Sequence, residues 1–309
     1  MTETQSGRVS ILEVGPRDGL QNEPTPIDTA TKLAFIEALA ASGLGRIEAT
    51  AFVHPHAVPQ LAHAAAVARG LPVDDSIEYS ALVPNRTGLR RAIDAGVRRV
   101  AVFTAASETF ARRNINMSIA ESLAEFERVV ADATGQGLTV RGYLSTCFVC
   151  PYEGEIAPDR VRAVASRLMD LGVDEIAISD TIGAAVPTDI VACLGEVLQD
   201  VPVERVALHL HDTYGTALAN VCAALPLGIT RFDASAGGLG GCPYAPGAAG
   251  NLATEDLVYL LERMGIATGV SLEGVFRAST IVANALGRRL RGKQYNRLRA
   301  AGGDAEPPA

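Results

Sequence analysis

The sequence predicts an α/β protein with the (β/α)8 barrel fold, and two observations support this prediction. Eight short apolar runs alternate with segments whose apolar residues recur at helical spacing. These strand-helix units follow one another at a nearly constant spacing, without a linker between domains. An open doubly wound sheet is the alternative, but it usually has fewer strands, and dinucleotide-binding members carry a G-x-G-x-x-G turn after the first strand. Gly15-Pro16-Arg17 is not such a turn, so we favour the barrel.

The predicted strands and helices alternate along the chain. The strands are residues 9–14, 46–49, 77–82, 99–103, 139–144, 175–179, 206–210 and 230–234. The helices that follow them are residues 28–41, 59–68, 87–94, 119–134, 160–171, 188–199, 216–225 and 254–263. Asp28 is the expected N-cap of the first helix, and Gly43 is its stop signal. Leu123, Phe126 and Val130 recur at helical spacing and predict one buried face for the fourth helix.

We predict a single domain over residues 1–309. The barrel, a TIM barrel, occupies about 8–265, and a helical addition occupies about 266–300. The addition contains one further C-terminal helix, at about 272–286. Residues 302–309 are expected to form a disordered tail.

Composition narrows the range of partners. A hydrophobic content of 48% is sufficient for a sizeable core, and a net charge of -8 without a long basic run argues against nucleic acid. No apolar stretch approaches the roughly 20 residues that span a bilayer, and residues 1–8 lack the apolar region of a signal peptide. The five cysteines are scattered and odd in number, which favours a location in the reducing cytoplasm over a disulfide framework. The lone pair Cys147 and Cys150 is interpreted as packing.

The most informative stretch is His209-Leu210-His211-Asp212, which follows a buried apolar run. Residues two apart on a strand point to the same face, so the two imidazoles are able to share one metal ion. An isolated pair of this kind is more often a buried histidine bonded to backbone beside a solvated one. Polar residues at the ends of the other strands favour the metal, because function collects at the C-terminal strand ends of such barrels.

These strand ends supply a mixed set of oxygen and nitrogen ligands. The set suits a divalent cation with positions open for water or substrate, and its members are Asp18, His209, His211 and Asn251. Structural alternatives exist for several polar residues at these ends. Asp180 and Asp212 are possible helix N-caps, and Arg17 with Asp18 is a possible salt bridge in a turn.

Two further residues carry candidate chemistry. Glu48 lies within an apolar strand, where a buried carboxylate needs a partner, and it is able to orient Arg17 or a metal ligand. Cys242 lies on a glycine-rich loop, from which it is placed to transfer a proton after the loop closes. A nucleophilic role is the alternative, but no free histidine remains beside it as a base if His209 and His211 bind metal.

The chain resembles the hydroxymethylglutaryl-CoA lyases, which are metal-dependent barrel lyases related to isopropylmalate and citramalate synthases. The resemblance covers about Ser10 to Leu286. The motifs that carry it are Glu13–Asn22, Asn114–Asn116, Cys150–Gly154, Asp180–Gly183, His209–Gly215 and Gly237–Val258. The stretch Gly238–Tyr244 is the specific one, because it resembles the lyases and not the synthases.

The resemblance implies a retro-Claisen cleavage of an acyl-CoA to acetyl-CoA and acetoacetate, in leucine breakdown. It implies that the four metal-ligand candidates hold Mg2+ or Mn2+. It assigns Arg17 to the enolate of acetyl-CoA and Cys242 to its protonation, while the base stays open between Asp18, a histidine and a metal-bound water. We add Glu48 and Asp180 to the catalytic set. We also expect a homo-oligomer, with a dimer favoured.

Substrate contacts are assigned to a further group of polar side chains: Arg17, Gln21, Tyr143, Thr181, and, for the CoA phosphates, Arg112 and Arg113. Solvated surface arginines are the alternative for the last two. His54, His56, Met117 and Pro246 depart from the residues familiar in the family. They leave open a lyase of the same chemistry acting on another branched 3-hydroxyacyl-CoA. The third hypothesis is a catalytically idle barrel that acts as a binding protein. An idle relative should have lost a metal ligand, Arg17 or Cys242, and this sequence keeps all of them.

Overall fold

Eight parallel strands form a closed barrel in the computed structural model, which describes residues 8–241 and 250–302. Neighbouring strands in the barrel are neighbours in the chain. The strands are β1 (Ser10–Glu13), β2 (Arg46–Ala51), β3 (Glu78–Leu82), β4 (Arg99–Ala105), β5 (Thr139–Ser145), β6 (Glu175–Asp180), β7 (Val206–Leu210) and β8 (Arg231–Ala234). β8 pairs in parallel with β1, which closes the barrel and confirms the predicted (β/α)8 fold.

Helices surround the barrel and follow its strands. They are α1 (Thr29–Ala41), α2 (Ala64–Arg69), α3 (Arg86–Asp94), α4 (Glu108–Ile115), α5 (Ile119–Thr134), α6 (Pro158–Asp170), α7 (Pro187–Val197), α8 (Ala217–Ala224), α9 (Thr254–Arg263), α10 (Leu272–Leu286) and α11 (Lys293–Ala301). The Asp28 side chain accepts the Thr31 amide at 2.7 Å, so the predicted N-cap of α1 is confirmed. Within the described ranges, no helix is both long and apolar enough to cross a membrane.

Four elements differ from the prediction. Helices α4 and α11 were missed because they bury few side chains, only Phe110 and Ala111 in α4 and Tyr295 in α11. A short hairpin of Val149–Cys150 and Gly154–Glu155 also follows β5. The helix predicted at 59–68 is a 3-10 turn followed by the short α2. In this turn the buried Gln60 side chain bonds to the backbone of Thr25 and Ile27, in the loop before α1.

The interior of the barrel is polar rather than wholly apolar. Inward-facing positions hold the small side chains Ala101, Ala177 and Ala207, which pack with Tyr143 in a cluster separate from the main core. The main apolar core lies between the strands and the helices. The space beside the alanines admits the long side chain of Arg141, which is only 8% exposed. Charged groups therefore occupy a region that barrels usually fill with branched apolar residues.

The C-terminal addition consists of two helices rather than one. α10 packs against α1 and α9, and the segment between α10 and α11 contacts the loop that follows β8. There the Gly237 carbonyl accepts the amides of Arg291 and Gly292, at 3.1 and 2.8 Å. Gly302 is the C-cap of α11, and the rest of the predicted tail, residues 303–309, lies outside the described residues.

Gly43 is expected to be essential for the junction between α1 and β2. It has φ +94°, and a β-carbon there would lie 2.3 Å from the Gly269 carbonyl oxygen. Gly96 has φ +86° but nothing within 4 Å of its β-carbon position, so it is a matched control. We expect Gly96→Ala to lower the free energy of unfolding by about 1–2 kcal/mol, from the left-handed backbone alone.

Gly43→Ala adds a clash with backbone, which has no side chain to move aside, so we expect a loss of about 3 kcal/mol or more. Urea denaturation of the two variants beside the unmodified protein measures both losses. Equal losses would show that the contact with Gly269 is not restrictive.

Candidate active site

A cavity of about 570 Å³ opens at the C-terminal ends of the strands. One side, formed by β7 and the turn after β1, carries Arg17, Asp18, His209 and His211. The other side, formed at β3 and β4 and the helices that follow, is largely apolar: Leu82, Phe103, Phe110, Ile115, Met117 and Phe126. One wall of the cavity is therefore charged and the other is apolar. This combination suits a substrate with a polar reacting group and an apolar remainder.

Arg17 and Asp18 reach the cavity from a π-helical turn, Gly15–Gly19. In this turn the amides of Asp18 and Gly19 both donate to the Val14 carbonyl, at 2.7 and 3.1 Å. Turns of this type occur frequently at functional sites. The turn places two successive side chains of opposite charge at the mouth of the barrel.

Three of the predicted metal ligands converge. Ligand atoms of Asp18, His209 and His211 all lie within 4.8 Å of one another. The two Nε2 atoms are 3.2 Å apart, and Nε2 of His209 is 4.0 Å from Oδ2 of Asp18. Two imidazole nitrogens that point into one small space beside a carboxylate are suited to a shared cation.

Asn251, the fourth predicted ligand, lies beside them. A β-bridge pairs it with His211, and its Nδ2 donates to Oδ2 of Asp18 at 2.8 Å and to the Leu239 carbonyl at 3.1 Å. Its Oδ1 is buried and has no hydrogen-bond partner among the described residues. Gly240, at φ +123°, must be glycine because a β-carbon would lie 2.6 Å from the Asn251 Nδ2. A buried, unpartnered amide oxygen next to three convergent ligands fits a divalent metal ion.

The electrostatics favour ligands that are free of protons. Burial alone would raise the pKa of Asp18, but Arg17 and the two histidines outweigh it and hold this pKa well below its usual range. Burial lowers the pKa of His211 to about 4. At neutral pH the site therefore offers a carboxylate and a neutral imidazole, the forms in which these groups bind metals.

Arg17 is fixed on two sides. Its Nε donates to the Glu48 carboxylate, and its Nη1 donates to Oδ1 of Asp18 at 2.6 Å. Glu48 is fully buried on β2, which supplies the partner that a carboxylate inside a strand was predicted to need. The Tyr143 ring lies near the guanidinium, 5.4 Å from its carbon to the ring centroid. Nη2 has no hydrogen-bond partner among the described residues, so it is available to a molecule in the cavity.

Two buried residues near the site were missed by the sequence analysis. Nδ1 of His209 lies 3.1 Å from Oδ2 of Asp233, and Asp233 accepts two hydrogen bonds from Arg141, at 3.0 and 2.7 Å. The signal was present, because both are charged residues inside apolar strands. The argument that drew attention to Glu48 applies to them equally.

Asp180 does not line the cavity. Its two carboxylate oxygens accept the amides of Ala184 and Ala185, at 3.1 and 3.0 Å, and burial raises its pKa to about 6. This geometry favours the structural alternative, in which Asp180 holds the loop before α7, and it does not support the predicted catalytic role. Asp212 has a similar position, since its Oδ1 accepts the Ala217 amide at the start of α8.

The predicted substrate residues divide into two groups. Gln21, Tyr143 and Thr181 line the cavity. Arg112 and Arg113 are exposed on α4 and do not line it; Arg112 pairs with Glu108 at 3.2 Å, and Arg113 stacks on the Tyr152 ring. The alternative of surface arginines is therefore favoured over contacts with CoA phosphates.

Cys242 lies outside the described residues, so its predicted role stays a prediction. The preceding residue, Gly241, lines the cavity, and its carbonyl accepts a hydrogen bond from Asn22 Nδ2 at 3.1 Å. Of the residues that depart from the family pattern, His54 and Met117 also line the cavity, whereas His56 does not.

Comparison with known proteins gives consistent matches. The profile of the family described as HMGL-like matches residues 8–282. A hydroxymethylglutaryl-CoA lyase of Bacillus subtilis is 49% identical over 283 residues, 92% of this chain and 95% of the relative. A crystal structure of the B. subtilis HMG-CoA lyase has a TM-score of 0.93 at 47% identity and covers 94% of this chain and 98% of that one.

A structure of an HMG-CoA lyase from Acinetobacter baumannii, in complex with coenzyme A and 3-methylmalate, has a TM-score of 0.90 at 37% identity, with 100% coverage of both chains. The family profile thus spans the whole barrel, and the relatives match along nearly the full chain. These matches confirm the resemblance inferred from the motifs. The chain belongs to the HMGL-like family.

Proposed function

We propose that this protein is a divalent-metal-dependent lyase that cleaves hydroxymethylglutaryl-CoA into acetyl-CoA and acetoacetate. One observation carries the proposal: the metal-ligand candidates and Arg17 meet in a single cavity. A retro-Claisen cleavage is accelerated by a Lewis acid at the tertiary hydroxyl group and by a cation at the thioester oxygen. The names of the relatives support the same activity.

Asp18, His209, His211 and Asn251 would hold Mg2+ or Mn2+, which when bound supplies Lewis acidity to a substrate hydroxyl or carbonyl oxygen. The assignment rests on the two converging Nε2 atoms and on the unpartnered Oδ1 of Asn251. A set of two oxygens and two nitrogens leaves coordination positions for substrate.

Arg17 acts on charge that develops as the carbon–carbon bond breaks. A base, left open by the sequence, accepts the hydroxyl proton; the electrons of the carbon–carbon bond then move onto the thioester as an enolate, and the ketone of acetoacetate forms. Nη2 of Arg17 donates to the enolate oxygen, while Glu48 and Asp18 hold the other two nitrogens in place. This contact strengthens near the transition state and so accelerates the reaction. A proton from Cys242 to the enolate carbon then gives acetyl-CoA.

A second candidate is a lyase of the same chemistry that acts on another branched 3-hydroxyacyl-CoA. Two observations support it: one wall of the cavity is largely apolar, and His54 and Met117, which depart from the family pattern, line the same cavity. Among the described residues that line the cavity, Arg17 is the one arginine or lysine, so the apolar wall carries no cationic side chain. An acyl group with a larger apolar substituent at C3 would find space against this wall.

We also propose an acyl-CoA ligand and a cytoplasmic location. The first is supported by the relative bound to coenzyme A, and the second by four free cysteines in the described part of the chain. The homodimer and the place in leucine breakdown stay predictions.

The purified protein with Mg2+ is expected to release acetoacetate from hydroxymethylglutaryl-CoA. A parallel assay with a 3-hydroxyacyl-CoA that carries a longer alkyl group at C3 compares the two substrate candidates through kcat/KM. A higher kcat/KM for the longer substrate would favour the second candidate. Absence of cleavage of either substrate by metal-loaded protein would contradict the proposed function.

His209→Ala and His211→Ala are each expected to abolish measurable Mn2+ binding at micromolar protein, because each removes one of the two nitrogen ligands. Electron paramagnetic resonance of free Mn2+ gives the bound fraction. His63→Ala, at an exposed position before α2, is the matched control and should bind Mn2+ like the unmodified protein. Retention of Mn2+ by either strand-β7 variant would exclude that histidine as a ligand.

Arg17→Lys is expected to lower kcat by about 10²–10³-fold, the usual loss when one donor to a developing oxyanion is removed. Lysine keeps a positive charge beside Glu48 but has no second amino group to donate to the enolate. Arg112→Lys, on the exposed face of α4, should leave kcat/KM unchanged. The role of Arg17 would be wrong if kcat stayed within a few-fold while Mn2+ binding was intact.

A further inference from the structure

A chain of charged groups, buried from Glu175 inward, runs from the N-terminal end of the barrel to the metal centre. Nη1 of Arg231 lies 2.7 Å from Glu175, and Nε of Arg141 lies 2.7 Å from the same carboxylate. Arg141 then donates twice to Asp233, which contacts Nδ1 of His209 at 3.1 Å. From Glu175 to His209, every member is buried. Asp233 is only 2% exposed, so water competes little for its contacts, and their geometry decides which atom carries each proton.

His209 is able to bind a cation through Nε2 only if the ring hydrogen is on Nδ1. A carboxylate can only accept hydrogen bonds, so contact with Asp233 requires Nδ1 to be the N–H atom. The bidentate pair with Arg141 keeps Asp233 in the carboxylate form and fixes its plane. Nε2 then presents its lone pair to the space shared with His211 and Asp18.

Arg141 also orients the ring through a second group. Its Nη1 donates to the Tyr143 hydroxyl at 2.7 Å, and the Tyr143 ring packs edge-on against the His209 ring, with centroids 5.9 Å apart and planes at 86°. His211 differs, because its Nδ1 is buried and has no hydrogen-bond partner among the described residues. The two histidines of the site are therefore not equivalent. Contacts at Nδ1 and at the ring fix the orientation of His209, whereas Nδ1 of His211 has no such contact among the described residues.

We propose that Asp233 and Arg141 are positioning residues of the metal centre, which hold His209 in the tautomer and orientation that bind the cation. Asp233 acts directly on Nδ1, and Arg141 acts through Asp233 and Tyr143. This inference rests on the metal-binding part of the proposed function. It means that residues of β5 and β8 hold the His209 ring in place before the metal binds.

The test uses Asp233→Asn, which keeps the shape of the side chain. The charge-assisted bond to Arg141 is the stronger one, so the amide oxygen is expected to face the guanidinium and the NH2 group to face His209. Nδ1 must then accept, and the ring hydrogen moves to Nε2, the atom needed for the metal. Loss of such a partner typically weakens metal affinity about 10–100-fold, and we expect a loss in that range for Mn2+.

Glu175→Gln is the matched control, because it alters the other carboxylate partner of Arg141 and leaves the contact between Asp233 and His209 intact. We expect it to lower stability without changing Mn2+ affinity. If both variants lost Mn2+ affinity equally, the effect would be a general loosening of the barrel interior, and the inference would be overturned. Unchanged Mn2+ affinity in Asp233→Asn would overturn it as well.

A spectroscopic measurement on the unmodified, metal-free protein makes the test independent of whether the variants fold. In 15N-histidine-labelled protein, the side-chain nitrogen shifts distinguish the two tautomers, and His209→Gln assigns the His209 signals. We expect Nδ1 of His209 to be protonated and Nε2 to be unprotonated; the reverse would overturn the inference. If the unmodified protein failed to bind Mn2+, the metal step of the proposed function would fail, whereas the tautomer would still report on Asp233.

Discussion

The ion pair between Arg141 and Asp233 is the interaction on which the metal side of the cavity depends. Both groups lie inside the barrel, and the transfer of each charge out of water has an effective cost of several kcal/mol. Additional contacts offset this cost, since Asp233 also contacts His209, and Arg141 donates to the Tyr143 hydroxyl and forms an ion pair with Glu175. An apolar pair of the same volume is often at least as stable. It would leave the His209 ring without the contact that fixes it.

Small residues make this arrangement possible. Ala101, Ala177 and Ala207 occupy inward positions where branched side chains usually fill such barrels, so the interior accommodates an arginine and a tyrosine.

At the mouth, the cavity is supported by the C-terminal segment as well as by the barrel. The Gly237 carbonyl accepts two amides from the link between α10 and α11, and the Lys293 ammonium lies 3.0 Å from the Asp212 carboxylate. The helical addition thus contacts the loops that follow β7 and β8 and holds them in place.

Much of the fold could be predicted because it is encoded in local periodicity. The eight strands are short apolar runs, and the helices predicted at 119–134 and 160–171 bury largely apolar stripes that a single segment reveals. α4 and α11 have no such stripe and are held by contacts at their ends. The N-terminus of α11, for example, is capped by the Asp256 carboxylate, which accepts the amides of Lys293 and Gln294. A partner so distant in the chain leaves no periodic signal in the helix itself.

By itself, the sequence determined the barrel and the metal-ligand candidates, because strand alternation and strand ends fix where side chains such as His209 and His211 must point. Only the tertiary structure decided what each candidate touches. It placed Asp180 on the backbone of its own loop, and it placed Asp233 against His209. The physical reason is that a buried polar group is defined by its hydrogen-bond partners, and those partners come from neighbouring strands and loops whose register no local pattern records.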